Sequence, residues 1–103
     1  VICANTILTV NIKLNDFVLI NVLCAIGHES EIGEGSVINM LTQVSGGVVI
    51  GTGVLIGSGA TILQFLEIGN FSTVGSGAVL TKSILTNVIV VGVPAKEVER
   101  VGK

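Results

Sequence analysis

The sequence predicts an all-β protein, a parallel β-helix of hexapeptide repeats, and three columns of residues carry that prediction. Every sixth residue from Ile2 to Leu80 is Ile, Leu or Val, without exception over fourteen positions. The residue two places before each of these is mostly small or β-branched, and the residue directly after it favours Gly, Asn, Ser or Thr. A strict period over most of a chain is typical of a solenoid.

The period has a direct physical interpretation. Two inward positions separated by one outward position match a short strand, in which side chains alternate between faces. Gly and Asn suit the corner that follows, because they tolerate a positive φ. Three strands and three corners close a triangular coil of about 18 residues, and successive coils stack about 4.8 Å apart, the ordinary strand spacing. The fourteen hexapeptides make between four and five coils, and their core must be aliphatic because aromatics are only 3% of the chain.

The repeats are expected to form one β-helix domain over residues 1–85, because Thr86 interrupts the six-residue period. Residues 86–103 are expected to form a C-terminal arm rather than a separate domain. The arm is predicted to begin extended and to end in a short charged helix over Ala95–Val101. Pro94 directly precedes this segment and suits the first position of a helix, where its missing N–H costs nothing.

The composition excludes several classes of protein. The net charge is −2 and there is no run of basic residues, which argues against nucleic-acid binding. No uninterrupted apolar segment approaches the length of about 18 residues that a membrane span needs. Cys3 and Cys24 are too few for a disulfide framework, so we expect a reducing, cytoplasmic compartment and a Cys24 that is a small buried hydrophobe. The first residue is Val1, so we expect a piece of a longer protein.

The repeat pattern resembles that of the left-handed β-helix acyltransferases, and the resemblance implies the left hand for this chain. The stretch from Ile20 to Lys96 is similar to one subgroup, the sialic-acid O-acetyltransferases and the enzymes that N-acetylate UDP-4-amino sugars. The carrying segments are INVLCAIGHESEIGEGSVIN (Ile20–Asn39), VSGGVVIGTGVLIGSGATIL (Val44–Leu63), IGNFSTVGSGAVLTK (Ile68–Lys82) and VVGVPAK (Val90–Lys96). The resemblance implies transfer of an acetyl group from acetyl-CoA to a sugar or nucleotide sugar by a homotrimer. It also implies an N-terminal sugar-binding domain, which this sequence does not contain.

The candidate catalytic residues are His28 and Glu29. His28 is the single histidine and lies two residues after the inward Ile26, which predicts a position at a corner. The resemblance implies that it is the general base that deprotonates the acceptor, and an imidazole titrates in the range such a base needs. The resemblance also implies that Glu29 raises the basicity of the histidine, because a nearby carboxylate favours the protonated imidazole. The alternative for both residues is an ordinary solvated surface position.

The candidate acetyl-CoA residues lie in two nearly identical pentads, GSGAT and GSGAV. Ser58-Gly59 and Ser76-Gly77 are eighteen residues apart, so they are predicted to stack on one corner of successive coils. The resemblance implies that both pairs contact acetyl-CoA, although corners need glycine in any case. Val37 stands where some relatives have a second histidine near the thioester, and it is a third candidate contact.

Basic residues near the C-terminus could pair with the phosphates of CoA, since ionised phosphates bind Lys and Arg strongly. The candidate that we retain for this role is Lys96, and the others are Lys82, Arg100 and Lys103. The alternative is a solvated tail. Asn21 and Asn39 are also eighteen residues apart, and a stacked asparagine ladder is predicted for them.

Two other functions occur in proteins of this fold class and are alternatives for this chain. The γ-type carbonic anhydrases bind zinc through three histidines from two chains, and a chain with one histidine does not supply them, so no metal is predicted. A structural or ice-binding β-helix without catalysis is the remaining alternative. Ice-binding helices carry regular outward Thr ladders, and this sequence has no regular array of that kind.

Overall fold

The computed structural model describes residues 1–100 of the chain and, over that range, shows short strands and no helix. Thirteen of the strands are two residues long and recur once per hexapeptide, and the last two are longer. The strands are β1 (Ile7–Leu8), β2 (Lys13–Leu14), β3 (Leu19–Ile20), β4 (Ala25–Ile26), β5 (Glu31–Ile32), β6 (Val37–Ile38), β7 (Gln43–Val44), β8 (Val49–Ile50), β9 (Leu55–Ile56), β10 (Thr61–Ile62), β11 (Glu67–Ile68), β12 (Thr73–Val74), β13 (Val79–Leu80), β14 (Val88–Val91) and β15 (Lys96–Arg100).

The strands form three sheets, which are the walls of a triangular prism. The first wall has the order β1-β4-β7-β10-β13, the second β2-β5-β8-β11, and the third β3-β6-β9-β12-β14-β15. Within each wall, up to β13, a strand pairs in parallel with the strand eighteen residues later, as Ala25 does with Gln43. This register is the coil length that the sequence predicts.

The predicted aliphatic column fills the prism. From Ile20 to Leu80 its side chains are at most 2% exposed, and the small column beside it is buried with one half-buried exception, Leu66. The first coil is more open: Ile2 is exposed and Leu8 and Leu14 are half-buried. Cys24 is buried as predicted, and burial raises the pKa of its thiol, which therefore stays protonated and apolar near neutral pH.

Buried hydroxyls in the small column tie each coil to the next. Ser36 donates its hydroxyl to the carbonyl of Gly51 at 2.7 Å and accepts a hydrogen bond from the N–H of Val54 at 3.0 Å. Ser30 and Ser72 repeat the pattern on their own coils. Among the described residues no buried side-chain polar atom is left without a hydrogen bond, so these hydroxyls do not carry the usual desolvation penalty.

The corners between walls stack into three edges. The histidine edge follows the first wall and comprises residues 27–30, 45–48 and 63–66. The serine edge follows the third wall and comprises residues 21–24, 39–42, 57–60 and 75–78. The third edge follows the second wall and comprises residues 15–18, 33–36, 51–54 and 69–72. The third residue of most of these corners has φ near +60°, the left-handed conformation that favours Gly or Asn.

The C-terminal arm differs from the prediction. The expected helix over Ala95–Val101 is wrong, because Lys96–Arg100 is a strand that pairs antiparallel with β14. Val88 and Val90 are buried and continue the third wall, with a register offset of sixteen residues instead of eighteen. An unpaired strand at the end of a wall exposes a row of backbone donors and acceptors, and β15 satisfies that row. Val101, the last residue of the predicted helix, lies outside the described residues.

Candidate functional site

The imidazole of His28 lies over Gly46, the equivalent residue of the next coil. A Cβ added at Gly46 would lie 2.6 Å from Nε2 and 2.8 Å from Cε1 of His28, closer than real Cβ atoms come to other atoms. The missing side chain of Gly46 therefore makes the space in which the imidazole sits. The sequence prediction that His28 lies at a corner is confirmed, and the ring is directed along the edge toward the following coil.

The corner around His28 leaves the imidazole available to solvent and ligands. His28 is exposed, and its backbone carbonyl accepts a hydrogen bond from the N–H of Gly47 at 2.8 Å. Among residues 1–98 no side chain forms a hydrogen bond with the imidazole. Glu29 is also exposed, has φ of 60°, and its carboxylate makes no hydrogen bond to His28. The ring thus lies against the backbone of Gly46 and is open to solvent on its other side.

Phe65 covers the neighbouring glycine on the same edge. A Cβ added at Gly47 would lie 2.7 Å from Cε1 of Phe65, so one side of the phenyl ring rests on Gly47. The imidazole reaches Gly46 from the coil before, and the phenyl ring reaches Gly47 from the coil after. The dipeptide Gly46-Gly47 is therefore a shelf that carries the two rings on adjacent residues.

The serine edge carries the predicted acetyl-CoA residues in its last two corners, 57–60 and 75–78, which have no large side chains, whereas its first two corners expose Leu23, Met40 and Leu41. The N–H of Gly77 donates to the carbonyl of Ser58 at 2.8 Å, so the two Ser-Gly pairs stack on successive coils as predicted. Ser58, Gly59, Ser76 and Gly77 are all exposed. Nothing lies within 4 Å of a Cβ added at Gly59 or Gly77, which leaves an open strip of backbone along this edge.

Val37 and Lys96 lie beside that edge. Val37 is on β6, whose wall leads into the serine edge, and its neighbours in the register are Leu19 and Leu55. Val91 packs over Gly75, directly before Ser76, and Lys96 is paired with Val91 across the hairpin. The strand β15 thereby brings an exposed cation to the C-terminal end of the serine edge, a placement that the expected helix did not give.

Of the other basic candidates, Lys82 has a side chain that the structure describes. Lys82 is exposed and lines a shallow groove of about 300 Å³ together with Glu97, near the end of the prism. Arg100 is the last residue of β15 and its side chain is not described, and Lys103 lies outside the described residues.

The asparagine ladder is confirmed, because the amide Nδ2 of Asn21 donates to Oδ1 of Asn39 at 3.0 Å.

A larger groove, of about 470 Å³, lies on the second wall and the third edge, away from His28. Its lining includes the carboxylates of Asp16, Glu31 and Glu34. Three negative charges disfavour an anionic co-substrate such as CoA. In the part of the chain that the structure describes, no group of three His, Cys, Asp or Glu side chains is placed to hold a metal ion.

Sequence reasoning missed Gly46 and assigned Phe65 no place in the site. The signal for Gly46 was present, because it lies eighteen residues after His28 and therefore directly beneath the imidazole once the coil length is known. The same spacing relates Gly47 to Phe65. What the spacing did not give is the direction in which each side chain leaves its corner.

The comparison with protein families identifies the repeats. Residues 29–64 match the family described as bacterial transferase hexapeptide (six repeats). The match begins directly after His28 and covers parts of all three edges. These repeats indicate the left hand of the β-helix, so the predicted fold class is confirmed apart from its C-terminal helix.

Solved structures of acetyltransferases share this fold. The serine acetyltransferase of Neisseria gonorrhoeae is 27% identical with a TM-score of 0.86, and the match covers 93% of this chain and 41% of that one. A maltose O-acetyltransferase from Clostridium difficile 630 is 24% identical with a TM-score of 0.91, covering 99% of this chain and 66% of that one, and it supports the fold alone.

A third similar structure contains ligands. It is a histidine-to-alanine variant of the GDP-perosamine N-acetyltransferase from Caulobacter crescentus, in complex with CoA and GDP-perosamine. It is 25% identical with a TM-score of 0.66, and the match covers 93% of this chain and 54% of that one. This chain thus spans between about two fifths and two thirds of the relatives' lengths. The resemblance to hexapeptide-repeat acyltransferases is confirmed.

Proposed function

We propose that this chain, a left-handed β-helix of bacterial transferase hexapeptide repeats, transfers an acetyl group from acetyl-CoA to a hydroxyl or amine of a sugar or nucleotide sugar. The observation that carries the proposal is the imidazole of His28, exposed and seated over Gly46. An exposed imidazole whose nitrogens make no hydrogen bond within residues 1–98 is suited to exchange a proton with a ligand.

The chemistry requires one proton acceptor and one polarised carbonyl. A nitrogen of His28 takes the proton from the acceptor hydroxyl or amine, whose oxygen or nitrogen attacks the thioester carbonyl. A backbone N–H stabilises the oxyanion of the tetrahedral intermediate. The intermediate collapses by breaking the carbon–sulfur bond, and the departing CoA thiolate recovers the proton from the imidazolium. No covalent intermediate forms on the protein.

Glu29 acts on the histidine through charge. Its carboxylate follows His28 at the same corner and has no hydrogen bond to another described side chain. A carboxylate on the adjacent residue stabilises the positive charge that develops on the ring during proton transfer. We propose that Glu29 is a positioning and electrostatic residue whose effect on turnover is smaller than that of His28.

The serine edge binds acetyl-CoA. Its exposed Ser58-Gly59 and Ser76-Gly77 pairs present a strip of backbone without large side chains, along which an extended pantetheine arm fits. Val37 on the adjoining wall contacts the acetyl end, and Lys96 at the C-terminal end of the edge pairs with a phosphate. The structures of similar proteins with bound CoA support the choice of an acyl-CoA donor.

The two sets of site residues lie on different edges of the prism, which supports a homotrimer. His28 follows the first wall and Ser76 follows the third, so one wall separates them in a single chain. Three prisms side by side would bring the histidine edge of one chain to the serine edge of its neighbour.

We also place the reaction in the cytoplasm, since both cysteines are free thiols. No helix within residues 1–100 is long and apolar enough to span a membrane.

The test is acetyl-CoA turnover with a panel of acceptors: maltose, sialic acid, a nucleotide 4-amino sugar and serine. We expect CoA release that depends on one of the sugars and is absent without an acceptor. Absence of transfer to every acceptor, together with no binding of acetyl-CoA, would show that the chain is a structural β-helix.

A further inference from the structure

Asn39 lies at the point where the serine edge changes from side chains to open backbone. The first residues of the four corners of this edge are Asn21, Asn39, Gly57 and Gly75, each eighteen residues after the one before. The third wall keeps this register up to the corner, so Asn39 lies beside Gly57 of the following coil. Asn39 is therefore the last side chain of this column before the strip of open backbone that is proposed to bind acetyl-CoA.

Three hydrogen bonds hold Asn39 in place. Its side-chain Oδ1 accepts from Nδ2 of Asn21 at 3.0 Å. Its backbone N–H donates to the carbonyl of Ile56 at 3.0 Å, and its own carbonyl accepts from the thiol of Cys24 at 2.9 Å. Asn39 is also half-buried, so its amide is ordered before any ligand arrives. A group that is ordered in advance loses little entropy on binding.

The Nδ2 of Asn39 is a hydrogen-bond donor without a partner. Among residues 1–98 no atom accepts a hydrogen bond from this nitrogen, which carries two N–H groups. The oxygen and the nitrogen lie on opposite sides of the amide, so an Oδ1 that faces Asn21 turns the Nδ2 toward the following coil. The equivalent residue there is Gly57, which has no side chain to accept the bond. The Nδ2 is thus directed along the edge, into the open strip, rather than outward from the prism.

We propose that Nδ2 of Asn39 donates a hydrogen bond to a carbonyl oxygen of bound acetyl-CoA. This inference rests on the proposed function and assigns a further binding residue to the acetyl-CoA site. Val37, the proposed contact of the acetyl end, lies two residues before Asn39 on the same coil. The acetyl end of acetyl-CoA contains the thioester carbonyl and, beyond the sulfur, the nearer amide carbonyl of the pantetheine arm. Both oxygens accept hydrogen bonds from a neutral amide.

The two carbonyls predict different effects on binding and turnover. The thioester oxygen becomes an oxyanion in the tetrahedral intermediate, so a hydrogen bond to it is strongest in the transition state and its loss lowers kcat. The amide oxygen keeps the same charge throughout, so a hydrogen bond to it contributes equally to substrate and transition state, and its loss weakens binding. Free CoA has the amide carbonyl and no thioester, so its Kd responds to the second bond alone.

The variant Asn39→Asp removes the N–H groups and keeps the shape of the side chain. A carboxylate oxygen still accepts from Nδ2 of Asn21, so the variant should unfold at the wild-type urea midpoint. Asn70→Asp is the matched control on the third edge. The Oδ1 of Asn70 accepts from the N–H of Thr52 at 2.9 Å, and an aspartate keeps that bond while it adds the same charge. Asn39→Ala is the second test variant, because it removes the N–H groups without adding a charge.

The experiment measures the Kd of CoA by calorimetry, and the kinetics of acetyl-CoA and of S-acetyl-N-acetylcysteamine with the best acceptor of the wild-type chain. The smaller thioester has both carbonyls and no phosphate, so a new negative charge does not repel it. We expect Asn39→Asp and Asn39→Ala each to lower kcat/KM about tenfold for both thioesters, the loss that one hydrogen bond gives. Asn70→Asp should leave these constants within about twofold of the wild type.

The Kd of CoA then identifies the carbonyl. A rise of about tenfold in this Kd, with kcat unchanged, would assign the hydrogen bond to the pantetheine amide. A fall in kcat, with the Kd of CoA unchanged, would assign it to the thioester. Either result supports the contact between Asn39 and acetyl-CoA.

Other results would overturn the inference. Wild-type constants in both Asn39 variants would show that the amide does not meet acetyl-CoA. Equal losses in Asn39→Asp and Asn70→Asp, with none in Asn39→Ala, would assign the effect to charge. A lower molecular mass of Asn39→Asp in solution, with a wild-type Kd of CoA, would assign the amide to a contact between copies of the chain. A wild-type chain that neither binds CoA nor transfers acetyl would refute the proposed function itself, and the role of Asn39 with it.

Discussion

The histidine edge and the serine edge are made of the same repeated corner, yet they present opposite surfaces. On the histidine edge, side chains from neighbouring coils lie over Gly46 and Gly47 and fill the space that the glycines leave. At the last two corners of the serine edge, Gly59 and Gly77 have nothing within 4 Å of an added Cβ, and the backbone there is open. On the histidine edge, Gly46 leaves a space that the imidazole of His28 occupies. On the serine edge, no side chain occupies the space beside Gly59 and Gly77, so the backbone there is accessible to a ligand.

The comparison separates two kinds of glycine within each edge. Gly27 and Gly57 face backbone atoms of the next coil, and an added Cβ at either would lie 2.5 Å from a backbone nitrogen. Gly46 and Gly75 face side chains instead, His28 and Val91. The first kind sets the stacking distance of the coils, and the second kind sets where a side chain rests.

The largest effect on the fold should come from the glycines that face backbone. We expect Gly27→Ala and Gly57→Ala each to lower the free energy of unfolding by about 3 kcal/mol, because backbone cannot move aside as a side chain can. Urea unfolding followed by circular dichroism measures the change. Equal losses on the two edges are expected because both have the same stacked backbone. A negligible loss for either variant would mean that the coils do not stack as closely as described.

The next effect separates the edges by activity. Gly46→Ala should displace the imidazole and lower kcat about 10- to 100-fold, with the KM for acetyl-CoA within about twofold. Gly75→Ala makes a comparable collision, 2.7 Å from Cγ1 of Val91, and is the matched control with unchanged kcat. Steady-state kinetics on both variants measures the difference. If the two variants lost kcat equally, the position of the His28 imidazole over Gly46 would not be what determines kcat.

A negative charge on the serine edge should affect the other substrate. We expect Ser76→Asp to raise the KM for acetyl-CoA about tenfold through repulsion of its phosphates, while kcat at saturation stays within about twofold. Gln43→Asp, on the exposed face of the first wall, carries the same charge away from both edges. The proposed division of the edges would be wrong if Ser76→Asp lowered kcat and left this KM unchanged.

The smallest effect should come from Lys96, because an exposed ionic contact with a phosphate is weakened by solvent and salt. Lys96→Ala should raise the KM for acetyl-CoA about two- to fivefold at low ionic strength, and the difference should shrink in 0.5 M salt. Lys13→Ala removes an exposed cation that lies 3.7 Å from Glu31 on the second wall and should change nothing. Identical KM values for acetyl-CoA in both variants would show that Lys96 does not contribute to acetyl-CoA binding.

Much of this molecule follows from counting residues, because a solenoid is nearly one-dimensional. The period of six predicts the inward column, and the coil of eighteen predicts that Ser58 stacks on Ser76 and Asn21 on Asn39. It also implies that His28 stacks on Gly46. These relations need only the register, which every strand up to β13 keeps.

The conformation of the C-terminal arm could not be predicted from the repeat. The segment after Pro94 has charged residues and no period, so local sequence favoured a short helix. Its conformation is decided by a distant strand, Val88–Val91, which continues the third wall and leaves an unpaired edge that Lys96–Arg100 fills. The rings of His28 and Phe65 could not be placed from sequence for a related reason, since their directions depend on which neighbouring corner lacks a Cβ.

The central claim, that His28 is the base of an acetyl transfer, is tested most directly by the kcat of His28→Ala at saturating acetyl-CoA and acceptor. General-base catalysis predicts a fall of about 10²- to 10⁴-fold, with the KM for acetyl-CoA nearly unchanged and part of the lost rate restored by added imidazole. The exposed side chain makes no contact that the fold requires, so the variant should unfold at the wild-type urea midpoint. A His28→Ala chain that keeps the full kcat of the wild type would contradict the account.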